Sequence, residues 1–255
     1  MFFISLKIMK IIMNIINKYI TTLKFFCKQD LRNIWPVALW TTYLLIPPLS
    51  HKLRQKRCKF YVYNKPIEAK VAHVGTIKET IIEEGYTVEN LPKGDIIDIG
   101  ANVGISYLLF QNIFEGEYNF YAIEPDSNNV DLLKKNFPSL AIFNVAISNI
   151  SGQVNFFSSE TGITSKIVEG KGETKSISLN DFVLSNNLSP TLIKIDVEGA
   201  ELQVLEGGKE IFAKHKPVVF IEVHEKEFIS EIRTFFEEIG YTTFEDRGNN
   251  IFMYR

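Results

Sequence analysis

Acidic residues and one histidine follow two apolar runs in the C-terminal half of this sequence, where they could carry out acid–base chemistry. The run Leu192–Ile195 leads into Asp196, and the run Val218–Ile221 leads into Glu222 and His224. Such side chains can take a proton from a hydroxyl group when burial and neighbouring charges move their pKa values towards neutrality. We therefore predict Asp196, Glu222 and His224 as the catalytic residues, with either a carboxylate whose pKa is raised or the histidine tuned towards its neutral form.

The same region allows less specific interpretations. Glu198 and Glu201 could only stabilise the first turn of a following helix, whose dipole favours negative charge, and His224 could only hydrogen-bond a neighbouring loop. Three carboxylates and a histidine could also bind Mg²⁺ or a similar divalent ion. Their spacing does not require a metal, so a divalent metal is possible but the sequence predicts none.

The segment IIDIGANVG at Ile96–Gly104 is typical of a turn that binds a small anionic ligand. An apolar strand there ends in glycine and leads into a helix, whose first N–H groups lack intrahelical partners. A dinucleotide-binding loop has the spacing G-x-G-x-x-G, and its middle glycine lets a pyrophosphate approach the backbone. Asn102 stands at that position, so the segment favours a smaller anion, such as the carboxylate of an amino acid.

Glu124 lies at the end of the next predicted strand and is a candidate for binding a ribose. A carboxylate at this place can accept hydrogen bonds from both hydroxyls of adenosine. Pro125 ends the strand directly after it and thereby restricts where the carboxylate points. The alternative is a solvated strand end, but together with the glycine segment the ribose interpretation is favoured.

Alternating strands and helices must position these residues. The predicted strands are Asp95–Ile99, Asn119–Ile123, Ala141–Asn144, Leu192–Val197, Val218–Val223, Thr242–Phe244 and Asn250–Tyr254. The predicted helices are Val103–Phe114, Asn128–Asn136, Leu179–Asn186, Ala200–Glu206 and Glu227–Ile239. Short apolar strands between such helices are typical of an α/β fold, with a parallel sheet covered on both faces. The last two strands are too close in sequence for anything but an antiparallel hairpin.

Four segments of the chain together resemble the FkbM family of S-adenosylmethionine-dependent methyltransferases. They read DIGANVG, AIEPD, NVAIS and LIKIDVEGAELQVLEG and occur in this order between about Gly94 and about His224. The resemblance implies a Rossmann-like, seven-strand class I methyltransferase sheet whose last strand is antiparallel. It also implies the cofactor S-adenosyl-L-methionine, with its methionine part at Gly100–Gly104, its ribose at Glu124 and its adenine beside Asn144–Ser148.

On this basis the expected activity is methyl transfer to an oxygen, with a hydroxyl on a sugar, glycan or glycolipid as the leading acceptor. The cofactor-binding residues implied are Asp98, Gly100, Ala101, Asn102, Gly104, Glu124, Pro125, Ala146 and Asp196. Two alternatives stay open, a nucleotide-binding oxidoreductase and a non-catalytic scaffold that keeps the fold for membrane or protein binding. The polar region Val154–Ile177 is predicted to be hairpin-like, and Ser158–Lys175 within it to be a flap over the acceptor.

The first 59 residues differ in composition from the rest. They carry eleven Lys and Arg against one acid, whereas the remaining residues carry 17 against 29. We predict a basic, apolar helical extension at residues 1–59, which allows peripheral membrane contact, and a methyltransferase domain at residues 60–255. The acidity of the second part argues against nucleic acid as a partner. Two cysteines form no disulfide framework, so we expect a cytoplasmic protein, at most peripheral on the inner face of a membrane, in which a homo-oligomer is possible.

Overall fold

The computed structural model describes residues 17, 20–45, 52–82, 84–158, 165–168 and 174–255. The chain forms two compact units, Met1–Glu79 and Thr80–Arg255. The division predicted after Lys59 falls inside a strand, Arg57–Val62, that is paired with the next strand. The boundary between the two compact units lies twenty residues later in the sequence, after Glu79. The predicted assignment of 1–59 as an extension and 60–255 as the methyltransferase domain stays a prediction.

The first unit combines helices with one β-hairpin. Its helices are α1 (residues 20–29), α2 (Ile34–Leu45) and α3 (Val74–Ile82), the last of which crosses the boundary between the units, and its strands are β1 (Arg57–Val62) and β2 (Lys65–Lys70). The side-chain amide of Asn33 donates to the carbonyl oxygens of Phe26 and Tyr61 and accepts from the Tyr61 N–H. This buried amide therefore ties α1 to β1. Residues 1–16, 18, 19 and 46–51 of the predicted helical extension lie outside the described residues. None of the described helices has the length and apolarity to cross a bilayer.

The second unit contains eleven described strands and five further helices. The strands are β3 (Asp95–Ile99), β4 (Asn119–Ile123), β5 (Ala141–Phe143), β6 (Ala146–Ser148), β7 (Gly152–Ser158), β8 (Ser165–Val168), β9 (Thr174–Ser178), β10 (Pro190–Ile195), β11 (Val218–Glu222), β12 (Phe244–Asp246) and β13 (Ile251–Tyr254). The helices are α4 (Ile105–Ile113), α5 (Ser127–Asn136), α6 (Leu179–Ser185), α7 (Glu201–His215) and α8 (Phe228–Glu238).

Seven of these strands form one sheet in the order β12-β13-β11-β10-β3-β4-β5. β13 is antiparallel to both of its neighbours, and the other pairs are parallel. The predicted seven-strand, mostly parallel sheet with a C-terminal antiparallel hairpin is thus confirmed. The penultimate strand begins two residues later than predicted, because its pairing with β13 starts at Phe244 opposite Tyr254.

Residues 146–178 contribute a separate four-stranded sheet in the order β6-β9-β7-β8. β7 and β8 form the predicted hairpin, and β9 joins it antiparallel to β7. The parallel pairing of β6 with β9, in which Ala146 lies opposite Ser176, was not predicted. The two strands lie about thirty residues apart in the chain, so no local pattern indicates their pairing. Most of the predicted flap, Ser158–Lys175, lies outside the described residues.

The two faces of the large sheet are covered by different elements. Alternate strand residues such as Ile97, Ile193 and Ile221 pack in one core with residues of α6, α7 and α8. The strand residues between these positions face the other side of the sheet. There the ring of Tyr86 packs against those of Phe110 in α4 and Phe220 in β11. Helices therefore cover both faces, as predicted from the near-continuous apolar strands.

Helix α7 runs to His215, nine residues beyond the predicted end at Glu206. The two glycines after the predicted end, Gly207 and Gly208, are buried inside the helix. A Cβ on Gly207 would lie 2.1 Å from the carbonyl oxygen of Ser148 in β6. Gly207 is thus required by a close approach of helix and strand rather than by a helix end.

The change Gly207→Ala is expected to reduce the free energy of unfolding by about 1–3 kcal/mol, because helix α7 must move away from the backbone at Ser148. Gly75→Ala in helix α3 is the matched control, since a Cβ there meets nothing within 4 Å, and alanine favours a helix by up to ~1 kcal/mol. Denaturant unfolding of both variants measures the difference. Equal stability of the two variants would contradict the proposed packing.

Candidate active site

A buried ion pair under the glycine segment connects β3 to β10. Lys194 lies opposite Asp98 in the parallel register, so both side chains project from the same face. The Lys194 ammonium lies 3.2 Å from Asp98 Oδ1 and 3.3 Å from Asp196 Oδ2, and it donates to the carbonyl oxygen of Gly100 at 3.0 Å. Burial by itself would lower the pKa of Lys194, but the charges of Asp98 and Asp196 outweigh it and raise that pKa.

The carboxylate of Asp98 is buried and is paired with side chains of the protein itself. Its carboxylate accepts a hydrogen bond from the Ser106 hydroxyl in α4 as well as the ion pair with Lys194. Only 4% of Asp98 is exposed. The role of Asp98 as a direct cofactor ligand stays a prediction. In the structure its carboxylate contacts Ser106 and Lys194, and Lys194 in turn donates to the glycine segment.

The turn after β3 is built by close backbone contacts. Gly100 has φ +81°, and a Cβ there would lie 1.8 Å from the carbonyl oxygen of Asp196. The N–H groups of Gly100 and Ala101 both donate to the carbonyl oxygen of Ile123 at 3.0 Å. Glycine is needed at position 100 for contact with β10, and Ala101 is buried beneath the turn.

Glu124 accepts two backbone hydrogen bonds at the end of β4. The N–H of Asn102 donates to Oε2 and that of Asp126 donates to Oε1, each at 2.8 Å. Burial raises the pKa of Glu124 to about 7, although both of these hydrogen bonds act to lower it. The Asn144 amide donates to the carbonyl oxygens of Glu124 and Pro125 and so holds the strand end in place.

The segment ends at Gly104, the N-cap of helix α4, and no side chain caps that helix. The first N–H groups of α4 are therefore available to an anion. Asn102 also has a buried side-chain oxygen that has no hydrogen-bond partner among the described residues. The carboxylate of Glu124 has spare lone pairs that fit the ribose hydroxyls of S-adenosylmethionine. The N–H donors at the start of α4 fit its amino-acid carboxylate.

A cluster of carboxylates surrounds His224 at the carboxyl ends of β10 and β11. Its Nε2 lies 3.3 Å from Glu198, 3.7 Å from Glu222 and 3.8 Å from Asp196. The three predicted catalytic residues are thus brought together, and Glu198 joins them. Glu198 adopts φ +54°, a strained backbone conformation for a residue other than glycine.

Glu201 holds the histidine from the other side. It is fully buried, and its Oε1 lies 2.9 Å from His224 Nδ1 and accepts from the N–H of Gly199 at 3.0 Å. The sequence interpretation of Glu201 as a helix-stabilising acid is therefore incomplete. Glu201 is the first residue of helix α7, and its carboxylate also orients the imidazole of His224.

Electrostatics in the cluster differ from the expectation for the histidine. Burial raises the pKa of Glu198 and of Glu222 to about 7, with neighbouring carboxylates adding to the effect. Burial alone would lower the pKa of His224, but the hydrogen bond to Glu201 and the surrounding carboxylates raise it to about 9. Of the two shifts expected for this cluster, the raised carboxylate pKa values are found and the neutral histidine is not, because negative neighbours outweigh burial at His224.

The structure thus separates the candidate residues into groups. The glycine segment and Glu124 share direct hydrogen bonds, and Asp196 is linked to them through Lys194. Ala146 is 1% exposed and lies in the β6–β9 pairing, so its predicted backbone contact with adenine stays a prediction. Sequence reasoning gave no role to Lys194, although a lysine inside the strand LIKI, two residues before Asp196, was an available signal.

Comparison with known proteins agrees with this geometry. A family model described as the methyltransferase FkbM domain matches residues 98–243, more than half of the chain. The hexuronic acid methyltransferase AglP of Haloferax volcanii is 30% identical over 146 residues, which are 54% of this chain and 59% of that protein. The chain therefore spans less than two thirds of this curated relative.

A solved structure shows the same fold. The crystal structure of methyltransferase FkbM from Methylobacillus flagellatus KT superposes with a TM-score of 0.52 at 16% identity, covering 93% of this chain and 59% of that chain. At this level of identity the likeness establishes the fold alone.

Replacing Lys194 by methionine is expected to destabilise the second unit by about 3–5 kcal/mol, because Asp98 is left buried without its counter-charge. The double variant Lys194→Met/Asp98→Asn should recover part of this loss, since the unpaired charge is then absent. Denaturant unfolding measures both free energies. A single variant within about 0.5 kcal/mol of the unchanged protein would show that this ion pair does not hold the site together.

Proposed function

Because this chain belongs to the FkbM methyltransferase family, we propose that it transfers a methyl group from S-adenosyl-L-methionine to a hydroxyl on a sugar, glycan or glycolipid. One observation carries the proposal. The glycine turn, Glu124 and the cluster around His224 all follow the carboxyl ends of adjacent parallel strands, which is the edge where open α/β sheets bind ligands.

In this proposal the N-terminus of α4 binds the methionine carboxylate, and Glu124 binds the ribose. Each oxygen of Glu124 already accepts one backbone N–H and has a second lone pair for a hydroxyl. When bound, the cofactor supplies an activated methyl group from its sulfonium, and the acceptor hydroxyl loses a proton in the transfer. Lys194 keeps the turn fixed on β10, so the site needs little rearrangement to bind its ligand.

A carboxylate of the cluster takes that proton. Glu222 and Asp196 are partly exposed at the strand ends, whereas the negative neighbours of His224 raise its pKa and make its imidazole less available as the base. A positioned base contributes about 10²–10⁴-fold to such a reaction. Holding both reactants in line and excluding water can contribute roughly 7–11 kcal/mol.

The acceptor class is supported by the relative from Haloferax volcanii, which is described as a hexuronic acid methyltransferase. A pyranose carries several hydroxyls and little hydrophobic surface, which suits a site edged by carboxylates. The family membership counts against the alternative of a nucleotide-binding oxidoreductase. An assay of methyl transfer distinguishes the enzyme, which turns over, from a non-catalytic scaffold, which does not.

For the first unit we propose peripheral contact with the cytoplasmic face of a membrane. Leu31, Ile34 and Trp35 are 70%, 46% and 68% exposed at the start of α2, and Lys24 and Lys28 are exposed nearby in α1. Apolar side chains beside basic ones are the combination that binds an anionic lipid surface. The expected homo-oligomer stays a prediction.

The cofactor assignment is tested by isothermal titration calorimetry with S-adenosyl-L-methionine. Glu124→Ala is expected to weaken binding about tenfold to a hundredfold, because hydrogen bonds from the ribose to a charged group are lost. Glu124→Gln keeps the shape and should lose part of this affinity, and the exposed Glu117→Ala is the matched control. Unchanged affinity of Glu124→Ala would remove Glu124 from the cofactor site. Preferential binding of NAD(P) would instead support the oxidoreductase.

Turnover is measured as transfer of labelled methyl to oligosaccharides with and without uronic acid. Glu222→Gln should lower kcat by about 10²-fold or more and leave the affinity for the cofactor within about twofold, because a carboxylate base acts in the chemical step. Loss of cofactor affinity in this variant would indicate a structural role for Glu222. Absence of transfer to any sugar, with cofactor bound, would contradict the proposed acceptor class.

Membrane contact is tested by sedimentation with anionic phospholipid vesicles. Trp35→Ser should lower the partition coefficient for the vesicles about tenfold, because a large apolar side chain no longer enters the lipid interface. Leu184→Ser in the second unit is the control, because Leu184 is similarly exposed at 57%. Equal binding of both variants would exclude the start of α2 as the contact.

A further inference from the structure

We propose that Asp196, Glu198 and His224 bind a divalent cation of the Mg²⁺ or Mn²⁺ class at the carboxyl edge of the sheet. One potential ligand atom from each of these residues lies within 4.8 Å of the other two. Ligands of an octahedral ion with bonds of about 2.1 Å lie roughly 3–4 Å apart. The three groups therefore need only small side-chain movements to meet around one ion.

The orientation of His224 supports this site independently of the acidic cluster. Glu201, which is fully buried, engages the Nδ1 atom of the ring at 2.9 Å and leaves Nε2 directed towards the carboxylates. A carboxylate that fixes one ring nitrogen while the other binds the ion is the usual arrangement behind a metal-binding histidine. The ion would take the place of the proton on Nε2, which is released to solvent on binding. The second oxygen of Glu201 is buried and has no hydrogen-bond partner in the described part of the chain.

The charges of the cluster are also unequal. Within the described residues, His224 is the sole basic side chain within 4.0 Å of Glu198 or Glu222. Lys194 lies near Asp196 Oδ2 but also serves the buried Asp98, while Asp196 Oδ1 faces the histidine. A divalent cation supplies the positive charge that this group of partly buried carboxylates lacks.

The ligand types indicate which ion fits. Carboxylate oxygens with one imidazole favour hard or borderline ions such as Mg²⁺ and Mn²⁺, whereas structural zinc sites use cysteine. The two cysteines of the chain, Cys27 and Cys58, lie outside the second unit. Glu222 lies near His224 Nε2 and stays available as the base.

The role of the ion deepens the proposed function and rests on it. A cation at this edge would bind the acceptor hydroxyl, lower its pKa and place its oxygen for methyl transfer, while the released proton goes to Glu222. The existence of the ion-binding site does not depend on the identity of the acceptor, so the two can be tested separately.

The site is tested by titrating the full chain with Mn²⁺ and following the free ion by electron paramagnetic resonance. We expect one Mn²⁺ per chain, displaced by excess Mg²⁺. Glu198→Gln and His224→Gln should abolish this binding. Glu201→Gln, which keeps the size of the positioning residue, should weaken it by about 10–100-fold. The exposed Glu210→Gln on the same helix is the matched control and should bind as the unchanged protein does.

Absence of stoichiometric Mn²⁺ binding to the unchanged protein would overturn the site, whatever the variants do. Binding retained at full affinity in folded Glu198→Gln and His224→Gln would overturn it as well. Calorimetry with S-adenosyl-L-methionine in the presence of a chelator separates the two proposals. Cofactor binding without Mn²⁺ binding overturns the metal site alone, whereas Mn²⁺ binding without cofactor binding supports the site and overturns the proposed function.

Discussion

The buried ammonium of Lys194 joins two segments that are distant in sequence. It contacts Asp98 at the end of β3, Asp196 at the end of β10 and the carbonyl oxygen of Gly100 in the turn between β3 and α4. A charge in this environment is tolerated only when it is paired and hydrogen-bonded, so its partners are held in one arrangement. The turn that presents N–H groups and the edge that presents carboxylates are therefore positioned by the same side chain.

The two halves of the site have different electrostatic character. On the side of Glu124, backbone N–H groups and the N-terminus of α4 favour negatively charged or hydroxyl-rich ligand groups. On the side of His224, carboxylates outnumber basic side chains and favour a cation or a hydroxyl that loses its proton. This division fits a site that binds an amino acid joined to a nucleoside at one end and activates an acceptor at the other.

Much of the architecture could be predicted because strand and helix patterns are local. The apolar residues Ile96, Ile97 and Ile99 and the short link before β13 led to the predicted sheet, and all five residues of β3 are buried in it. Helix α7 was predicted too short because the contact that requires Gly207, the carbonyl oxygen of Ser148, comes from another part of the chain. The pairing of β6 with β9 was missed for the same reason, since its partners are about thirty residues apart.

The sequence by itself determined the order of strands and helices, the family resemblance and the residue types at the carboxyl edge of the sheet. Tertiary structure decided how those residues act on one another. A pattern of acids around His224 gave no means of weighing burial against negative neighbours, and the neighbours prevail. Lys194 and Glu201 gained their roles only when register and helix packing placed them beside Asp98 and His224. Electrostatic interactions depend on distance and burial, and both quantities exist only in the folded chain.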